Sequence, residues 1–221
     1  MDYLKKINLI YEDNHLLVVE KPINMPVQKD ESKDEDLLNL LKRYIKEKYN
    51  KPGEVYLALI HRLDRPVSGI MIFAKTSKAA SRLNKQMRIG QINKIYLVII
   101  EGVLTGSGTF EDKLLKNKKT NFVKVDQSGK ESILKYKALY SKENKTLVEV
   151  DLVTGRSHQI RVQFSSRGFP LVNDNKYNPK AGLGNIGLFA KKISIIHPTL
   201  KKRMQFELNL PKEKPFDIFK V

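Results

Sequence analysis

The segment HRLDRPVSG, residues 61–69, lies between two short apolar runs at 55–60 and 69–74. The composition of both runs indicates buried strands. The polar segment between them must emerge from the sheet, and loops on a rigid scaffold are where catalytic groups concentrate. Its only carboxylate is Asp64, between Arg62 and Arg65. By itself, this aspartate is compatible with a nucleophile, a general base, a metal ligand or a loop ion pair.

Short apolar or alternating runs recur through the chain and predict further strands. They lie at 15–20, 94–100, 133–140, 146–153, 188–196 and 203–210. Helical spacing appears at 36–49 and at 77–88, where Ser77 is the predicted N-cap. The first helix carries an apolar stripe of Leu37, Leu38, Leu41, Tyr44 and Ile45. The pattern predicts a large, mostly antiparallel sheet with few helices.

The charge balance points to a polyanionic partner. Lys and Arg number 41 against 24 Asp and Glu, which gives a formal net charge of +17 at pH 7. Such a surface favours nucleic acid, although a solvated lysine-rich surface is the alternative. The chain has no cysteine, which excludes disulfides and thiolate metal sites. We find no signal peptide and no apolar run of membrane-spanning length, and we therefore expect a cytoplasmic protein without a membrane partner.

Two groups of basic residues are candidates for contact with an RNA backbone. Lys78, Arg82 and Lys85 are predicted on one face of the second helix, opposite its apolar side. Lys118 and Lys119 lie in a basic loop at 113–124 that also contains Phe122. A solvated helix face and a mobile hairpin tip are the respective alternatives.

A second polar cluster, LVTGRSHQIRV, occupies residues 152–162. Thr154 and Gly155 are predicted to turn the chain from a strand into a short helical segment that carries Arg156, His158 and Arg161. Two arginines can clamp a phosphate, or one can hold a carboxylate in a bidentate pair.

The two clusters together, in this order, resemble the RluA-type family of pseudouridine synthases. The resemblance extends over almost the whole chain. It includes YEDNHLLVVEKPINMPVQ at 11–28, NKIYLVIIEG at 93–102, GFPLVND at 168–174 and IIHP at 195–198. The sequence departs from the family pattern where Asn173-Asp174 and Tyr177-Asn178 replace Gly-Asp and Tyr-Gly.

The resemblance implies isomerisation of uridine in ribosomal or transfer RNA without cofactor or metal. Asp64 corresponds to the nucleophile, Arg161 to the arginine that pairs with it, and Tyr96 to the tyrosine that contacts the target base. Arg62 corresponds to the residue that helps to hold the base out of its helix, since chemistry at C1′ or C6 requires a flipped base. Further substrate-binding residues are predicted at His61, Leu63, Arg65, Arg156, His158 and Ile160.

The fold that the resemblance implies is of the α/β (α+β) type, with a long mixed sheet, flanking helices and a central active-site cleft. We expect a single catalytic domain over residues 1–221, without an N-terminal S4 module, and a monomer. Two alternatives remain open. One is a metal-dependent phosphodiesterase or nuclease that uses His61, His158, Asp64 and Asp174, although their spacing matches no recognised metal site. The other is a non-catalytic RNA-binding protein on an enzyme-like scaffold.

Overall fold

The computed structural model describes residues 7–219 of the 221-residue chain. Within that range the chain forms eleven strands and three α-helices in a mostly antiparallel sheet, which confirms the predicted α+β class. The strands are β1 (Asn8–Glu12), β2 (Leu16–Lys21), β3 (Ala58–Leu59), β4 (Ser68–Ala74), β5 (Asn93–Glu101), β6 (Ser107–Lys116), β7 (Val123–Val125), β8 (Lys130–Lys142), β9 (Lys145–Asp151), β10 (Leu188–Ile196) and β11 (Arg203–Glu207). The helices are α1 (Leu37–Lys48), α2 (Ser77–Arg88) and α3 (Gln159–Ser165). In the described range no helix is long and apolar enough to span a membrane.

The described residues group into two compact units, which we name after one candidate site residue in each. The Asp64 unit contains residues up to 92 and residues 192–208, and the Arg161 unit contains residues 93–191 and those from 209 onward. The prediction of a single catalytic domain stays a prediction.

In the Asp64 unit, β2 pairs with β1 on one side and with β4 on the other, and Lys21 is aligned with Gly69. The side chains of β2 from Leu16 to Val19 are fully buried, so both faces of this strand are covered. Helix α2 contributes Ala80 and Leu83 to the core that also contains residues of β2 and β4. This rigid layer carries the loop between β3 and β4, which contains Asp64.

Helix α1 is one residue shorter at each end than predicted, whereas α2 has the predicted bounds but a different N-cap. The N-cap of α2 is Thr76 and not Ser77, because the Thr76 hydroxyl accepts a hydrogen bond from the Ala79 N–H at 3.2 Å. In α1 the buried stripe includes Leu40, whereas Leu38 is only half-buried. The single apolar run predicted at 55–60 forms only the two-residue strand β3.

Glu12 at the end of β1 connects three elements of the Asp64 unit. Its carboxylate accepts hydrogen bonds from the Tyr44 hydroxyl (2.7 Å), the Lys48 ammonium (2.7 Å) and the Lys75 ammonium (2.6 Å). The hydroxyl of Tyr49 adds a fourth at 2.9 Å. Burial by itself raises the pKa of Glu12, but these hydrogen bonds outweigh it and lower the pKa to about 2.

We expect Glu12→Gln to lower the free energy of unfolding at pH 7 by roughly 2 kcal/mol, discounted for partial solvent screening. The folded pKa lies below the ordinary glutamate value of 4.5, so the contribution of Glu12 is fully present above pH 4.5 and is lost as the pH falls towards 2. Urea unfolding at pH 7, 4 and 3 measures this difference. The exposed Glu54 provides the control Glu54→Gln. An acid dependence equal to that of the wild type in Glu12→Gln would refute the prediction.

The Arg161 unit contains an antiparallel sheet in which β5 pairs with β9, β9 with β8, β8 with β6, and β6 with β7. Strands β6 and β7 were not predicted. Every second residue of β6 from Gly108 to Leu114 is at least partly buried, but only Phe110 and Leu114 among them have apolar side chains, so the sequence carries only a weak alternating pattern. Together they form a hairpin whose turn spans residues 117–122 and is closed by the Asn117 N–H donating to the Phe122 carbonyl at 2.8 Å.

The chain after α3 returns along β5. The Val172 N–H donates to the Ile99 carbonyl at 2.9 Å, and the Ile99 N–H donates to the Gly187 carbonyl at 2.8 Å. A Cβ at Gly187 would lie 2.7 Å from the Ile99 carbonyl oxygen, so only glycine permits this approach. These contacts hold the segment that precedes Asp174 against the sheet.

Candidate active site

The HRLD loop is anchored on both sides of Asp64. The Ile72 N–H of β4 donates to Nε2 of His61 at 3.1 Å, so this ring nitrogen is an acceptor and His61 has a structural contact with the strand. Leu63 and Val67 are buried, and the Val67 N–H donates to the Asp64 carbonyl at 3.0 Å. Between these anchors Asp64 is half-buried and Arg62 is exposed. The loop therefore presents Asp64 from a fixed backbone.

Lys21, at the end of β2, anchors the same loop by hydrogen bonds from its ammonium group. Its ammonium donates to the carbonyls of Pro22 (2.8 Å), Met25 (2.8 Å) and Arg65 (3.0 Å), and its side chain is fully buried. Burial lowers the pKa of Lys21 to about 7, although the charge of Asp64 raises it. The sequence analysis assigned no role to this lysine. The signal was available, since a lysine ends the otherwise buried run LLVVEK.

We expect Lys21→Met to lower the free energy of unfolding by roughly 3 kcal/mol, because it leaves three carbonyls without their donor. The activity proposed below should fall as well, since the Arg65 carbonyl belongs to the loop that carries Asp64. Urea unfolding and turnover in one preparation measure both effects. The control is Lys51→Met at an exposed position. A variant as stable and active as this control would remove Lys21 from its proposed role.

The remaining basic candidates of the Asp64 unit have different surroundings. Arg65 forms ion pairs with Asp34 and Asp30. On α2, Lys78 and Lys85 are exposed as predicted, but Arg82 is half-buried and donates to the Pro198 carbonyl at 2.8 Å. The predicted ridge of three solvent-facing cations is therefore wrong at Arg82, because that face of the helix meets the segment after β10.

His15 lies directly before β2, and His197 lies directly after β10. The ring of His197 accepts the Thr199 and Leu200 N–H groups at Nδ1 and donates from Nε2 to Asp13 at 2.7 Å. In residues 7–219 no group of three or more metal-ligating side chains is found.

In the Arg161 unit, the loop before α3 is attached to β8. The side-chain amide of Gln159 donates to the Ile133 carbonyl at 3.1 Å, and its oxygen accepts from the Thr154 hydroxyl (2.8 Å) and the Arg156 N–H (3.0 Å). The side chain of Arg156 is exposed and donates from Nε to the Glu131 carbonyl at 3.0 Å. The predicted turn at 154–155 and the short helix that follows are confirmed.

Arg161 forms a bidentate ion pair with Asp174. Nε donates to one carboxylate oxygen at 2.8 Å and Nη2 to the other at 2.6 Å. Asp174 is fully buried and Arg161 is 6% exposed, so the pair is shielded from water. The sequence analysis did not identify this partner of Arg161. Asp174 was named there only where the sequence departs from the family motif and as a ligand in the alternative metal site.

The backbone conformation accommodates Asn173, which replaces the glycine of the family motif. Asn173 has φ of 56°, a left-handed conformation that glycine adopts freely and asparagine tolerates better than most residues. Its side-chain amide donates to the Asn185 carbonyl at 3.1 Å. After it, the Asp174 carboxylate accepts the N–H groups of Lys176 (3.0 Å) and Tyr177 (3.2 Å), which closes the turn.

Besides Arg161, two further predicted site residues are buried in the Arg161 unit. Tyr96 lies within β5, opposite Val150 of β9, and is 6% exposed, while Ile160 on α3 is 4% exposed. Lys118 and Lys119 are exposed at the turn of the β6–β7 hairpin, beside the half-exposed ring of Phe122. His158 precedes α3 with φ of 52°, and its ring faces Tyr177.

Comparison with known proteins identifies the family. Residues 15–166 match the RNA pseudouridylate synthase family. The chain is 34% identical over 209 residues to ribosomal large subunit pseudouridine synthase C of Buchnera aphidicola subsp. Baizongia pistaciae, with 89% of this chain and 64% of that protein covered. It is 30% identical over 226 residues to ribosomal large subunit pseudouridine synthase D of Pseudomonas aeruginosa, with 94% and 69% covered.

Among solved structures, human RNA pseudouridylate synthase domain containing 4 is similar, with a TM-score of 0.78 and 21% identity over 93% of this chain and 89% of that one. This similarity supports the fold alone. The match over residues 15–166 places the chain in the RNA pseudouridylate synthase family. It spans 64% of the length of the Buchnera relative.

Proposed function

We propose that this protein isomerises uridine to pseudouridine within RNA. In that reaction the bond from ribose C1′ to uracil N1 breaks, a bond from C1′ to C5 forms, and the proton lost from C5 is balanced by one gained at N1. The observation that carries the proposal is the family match over residues 15–166. That range contains both the HRLD loop and Arg161.

Asp64 is the nucleophile in this proposal. Its support is the loop geometry: the backbone on both sides of Asp64 is anchored by His61, Val67 and Lys21, as a preorganised reactive group requires. Arg161 is proposed to pair with Asp64. The two residues belong to different units of the chain, and this pairing stays a prediction.

The target base is proposed to leave its helix, because a stacked uracil exposes neither C1′ nor C6 to a side chain, and flipping costs a few kcal/mol. Arg62, exposed beside Asp64, is suited to fill the vacated space. Tyr96 is proposed to contact the flipped base. Further substrate-binding residues are proposed at His61, Leu63, Arg65, Arg156, His158 and Ile160.

The proposed substrate is RNA of the large ribosomal subunit, since the relatives at 34% and 30% identity carry that name. A net charge of +17 supports binding to a polyanion. Lys78, Lys85, Lys118 and Lys119 are exposed and are the proposed backbone contacts.

The test compares pseudouridines across total RNA from cells with and without this gene, together with turnover of the purified protein on large-subunit ribosomal RNA and on transfer RNA. We expect at least one uridine of large-subunit ribosomal RNA to lose its modification in the deletion strain. We also expect the purified protein to remain active in the presence of EDTA. Loss of activity in EDTA, restored by a divalent metal together with strand cleavage, would favour the nuclease instead. RNA binding without any product would favour the non-catalytic alternative.

We further propose that the protein acts in the cytoplasm as a monomer. Sedimentation of the purified protein and fractionation of cells test these two points.

A further inference from the structure

The orientation of Arg161 is restrained in its own plane by Asp174. The two hydrogen bonds from Nε and Nη2, at 2.8 and 2.6 Å, align one edge of the guanidinium with the carboxylate. A bidentate pair of this kind fixes direction within the plane but resists tilting out of it only weakly. Tilting is limited by whatever lies against the face of the guanidinium.

Tyr177 lies against that face. The central carbon of the Arg161 guanidinium is 5.2 Å from the centroid of the Tyr177 ring, within the range of a cation–π contact. The Tyr177 backbone is held by the same turn, because its N–H donates to the Asp174 carboxylate at 3.2 Å. Its carbonyl accepts from the Ser165 hydroxyl at 2.7 Å, which ties it to the end of α3.

The ring of Tyr177 is itself held by its hydroxyl. The oxygen lies 2.6 Å from Nδ1 of His158 and accepts the Val123 N–H of β7 at 3.0 Å. The rings of His158 and Phe122 contact it edge-on, with centroids at 5.5 and 5.6 Å. A tyrosine hydroxyl with partners from two other elements cannot rotate away without losing both hydrogen bonds.

We propose that Tyr177 is a positioning residue that keeps Arg161 in the orientation needed for catalysis, with His158 and the Val123 N–H as its supports. Asp174 holds the edge of the guanidinium and Tyr177 holds its face. Together they preorganise a charged group so that it need not be reordered during turnover. This inference rests on the proposed function, since it assigns Tyr177 a role through Arg161.

The test is Tyr177→Phe, which keeps the ring and removes the hydroxyl. We expect kcat to fall by about tenfold, because small misplacements of a catalytic group are costly in rate, while KM for RNA stays within about twofold. His158→Asn removes the other partner of the same hydrogen bond at a left-handed position that asparagine tolerates, and we expect a similar fall. The control is Tyr140→Phe, at a tyrosine of the same unit that is 53% exposed.

Kinetics are measured at a temperature at which every variant is fully folded by circular dichroism. Unchanged kcat in Tyr177→Phe overturns the inference, and so does a loss that appears only as raised KM or only where the folded fraction falls. Asp64→Asn is assayed in parallel. If Asp64→Asn is inactive while Tyr177→Phe is normal, the positioning role fails and the proposed function stands. If Asp64→Asn turns over normally, Asp64 is not the nucleophile and the proposed function is wrong on that point.

Discussion

Asp64→Asn is expected to abolish pseudouridine formation, with a loss of at least about 10³-fold in kcat, while the fold and RNA affinity are retained. The substitution removes the charge and the nucleophilic oxygen at nearly constant volume. The Asp64 carbonyl accepts the Val67 N–H and anchors the loop at this residue, and the substitution leaves it unchanged. Nucleoside analysis of the product RNA and a gel-shift titration measure the two quantities.

The matched control is Asp34→Asn, which neutralises an exposed carboxylate that pairs with Arg65 of the same loop. We expect near-normal turnover in this control, because surface ion pairs contribute little. Turnover at the wild-type level in Asp64→Asn would exclude Asp64 as the nucleophile. Loss of RNA binding along with activity would point to a binding role.

Arg161→Lys is expected to cost most of the rate, about 10²-fold in kcat, with RNA affinity little changed since the positive charge remains. Lysine cannot reproduce the fork that binds both oxygens of Asp174 at 2.8 and 2.6 Å. It also loses the flat cation that lies on the Tyr177 ring. The buried Asp174 is left with an imperfect partner, so the unfolding free energy should fall by about 1–3 kcal/mol as well.

Arg167→Lys is a close control for this change. Arg167 also forms a two-nitrogen pair, with Asp112 at 2.9 and 3.1 Å, and lies over the Phe110 ring at 4.1 Å. Its side chain is 31% exposed, against 7% for Arg161. We expect a small loss of stability and a normal kcat. If Arg161→Lys behaves in the same way, Arg161 has no special part in catalysis.

The parts of the fold that were predictable are those with a strong apolar period. Helix α2 and strand β10 were predicted with the bounds that the structure has. Strands β6 and β7 were missed, because the hairpin of Phe110 and Leu114 buries few side chains among many lysines. Hydrophobic periodicity carries little signal where only a few side chains of a hairpin, such as Leu114 and Val123, are buried.

The candidate site was also predictable only in part. The positions of Asp64 and Arg161 on a loop and a short helix follow from local pattern and family resemblance. The pairing of Arg161 with Asp174 depends on a left-handed Asn173 and on the contacts of Gly187 with Ile99. The burial of Lys21 depends on carbonyls from residues as distant in sequence as Arg65. The apolar run before Lys21 marks this lysine as unusual, but its carbonyl partners, like other contacts between distant segments and main-chain groups, leave no pattern in a single sequence.

The three carbonyls that bind the Lys21 ammonium also make the shape of the Asp64 loop depend on correct strand pairing. Lys21 is aligned with Gly69 in the pairing of β2 with β4. A slip of one residue would turn every side chain of β2 to the opposite face, and the ammonium would leave the carbonyl of Arg65. A mispaired sheet would therefore lack the shaped loop, and a misfolded copy would not present the nucleophile that we propose.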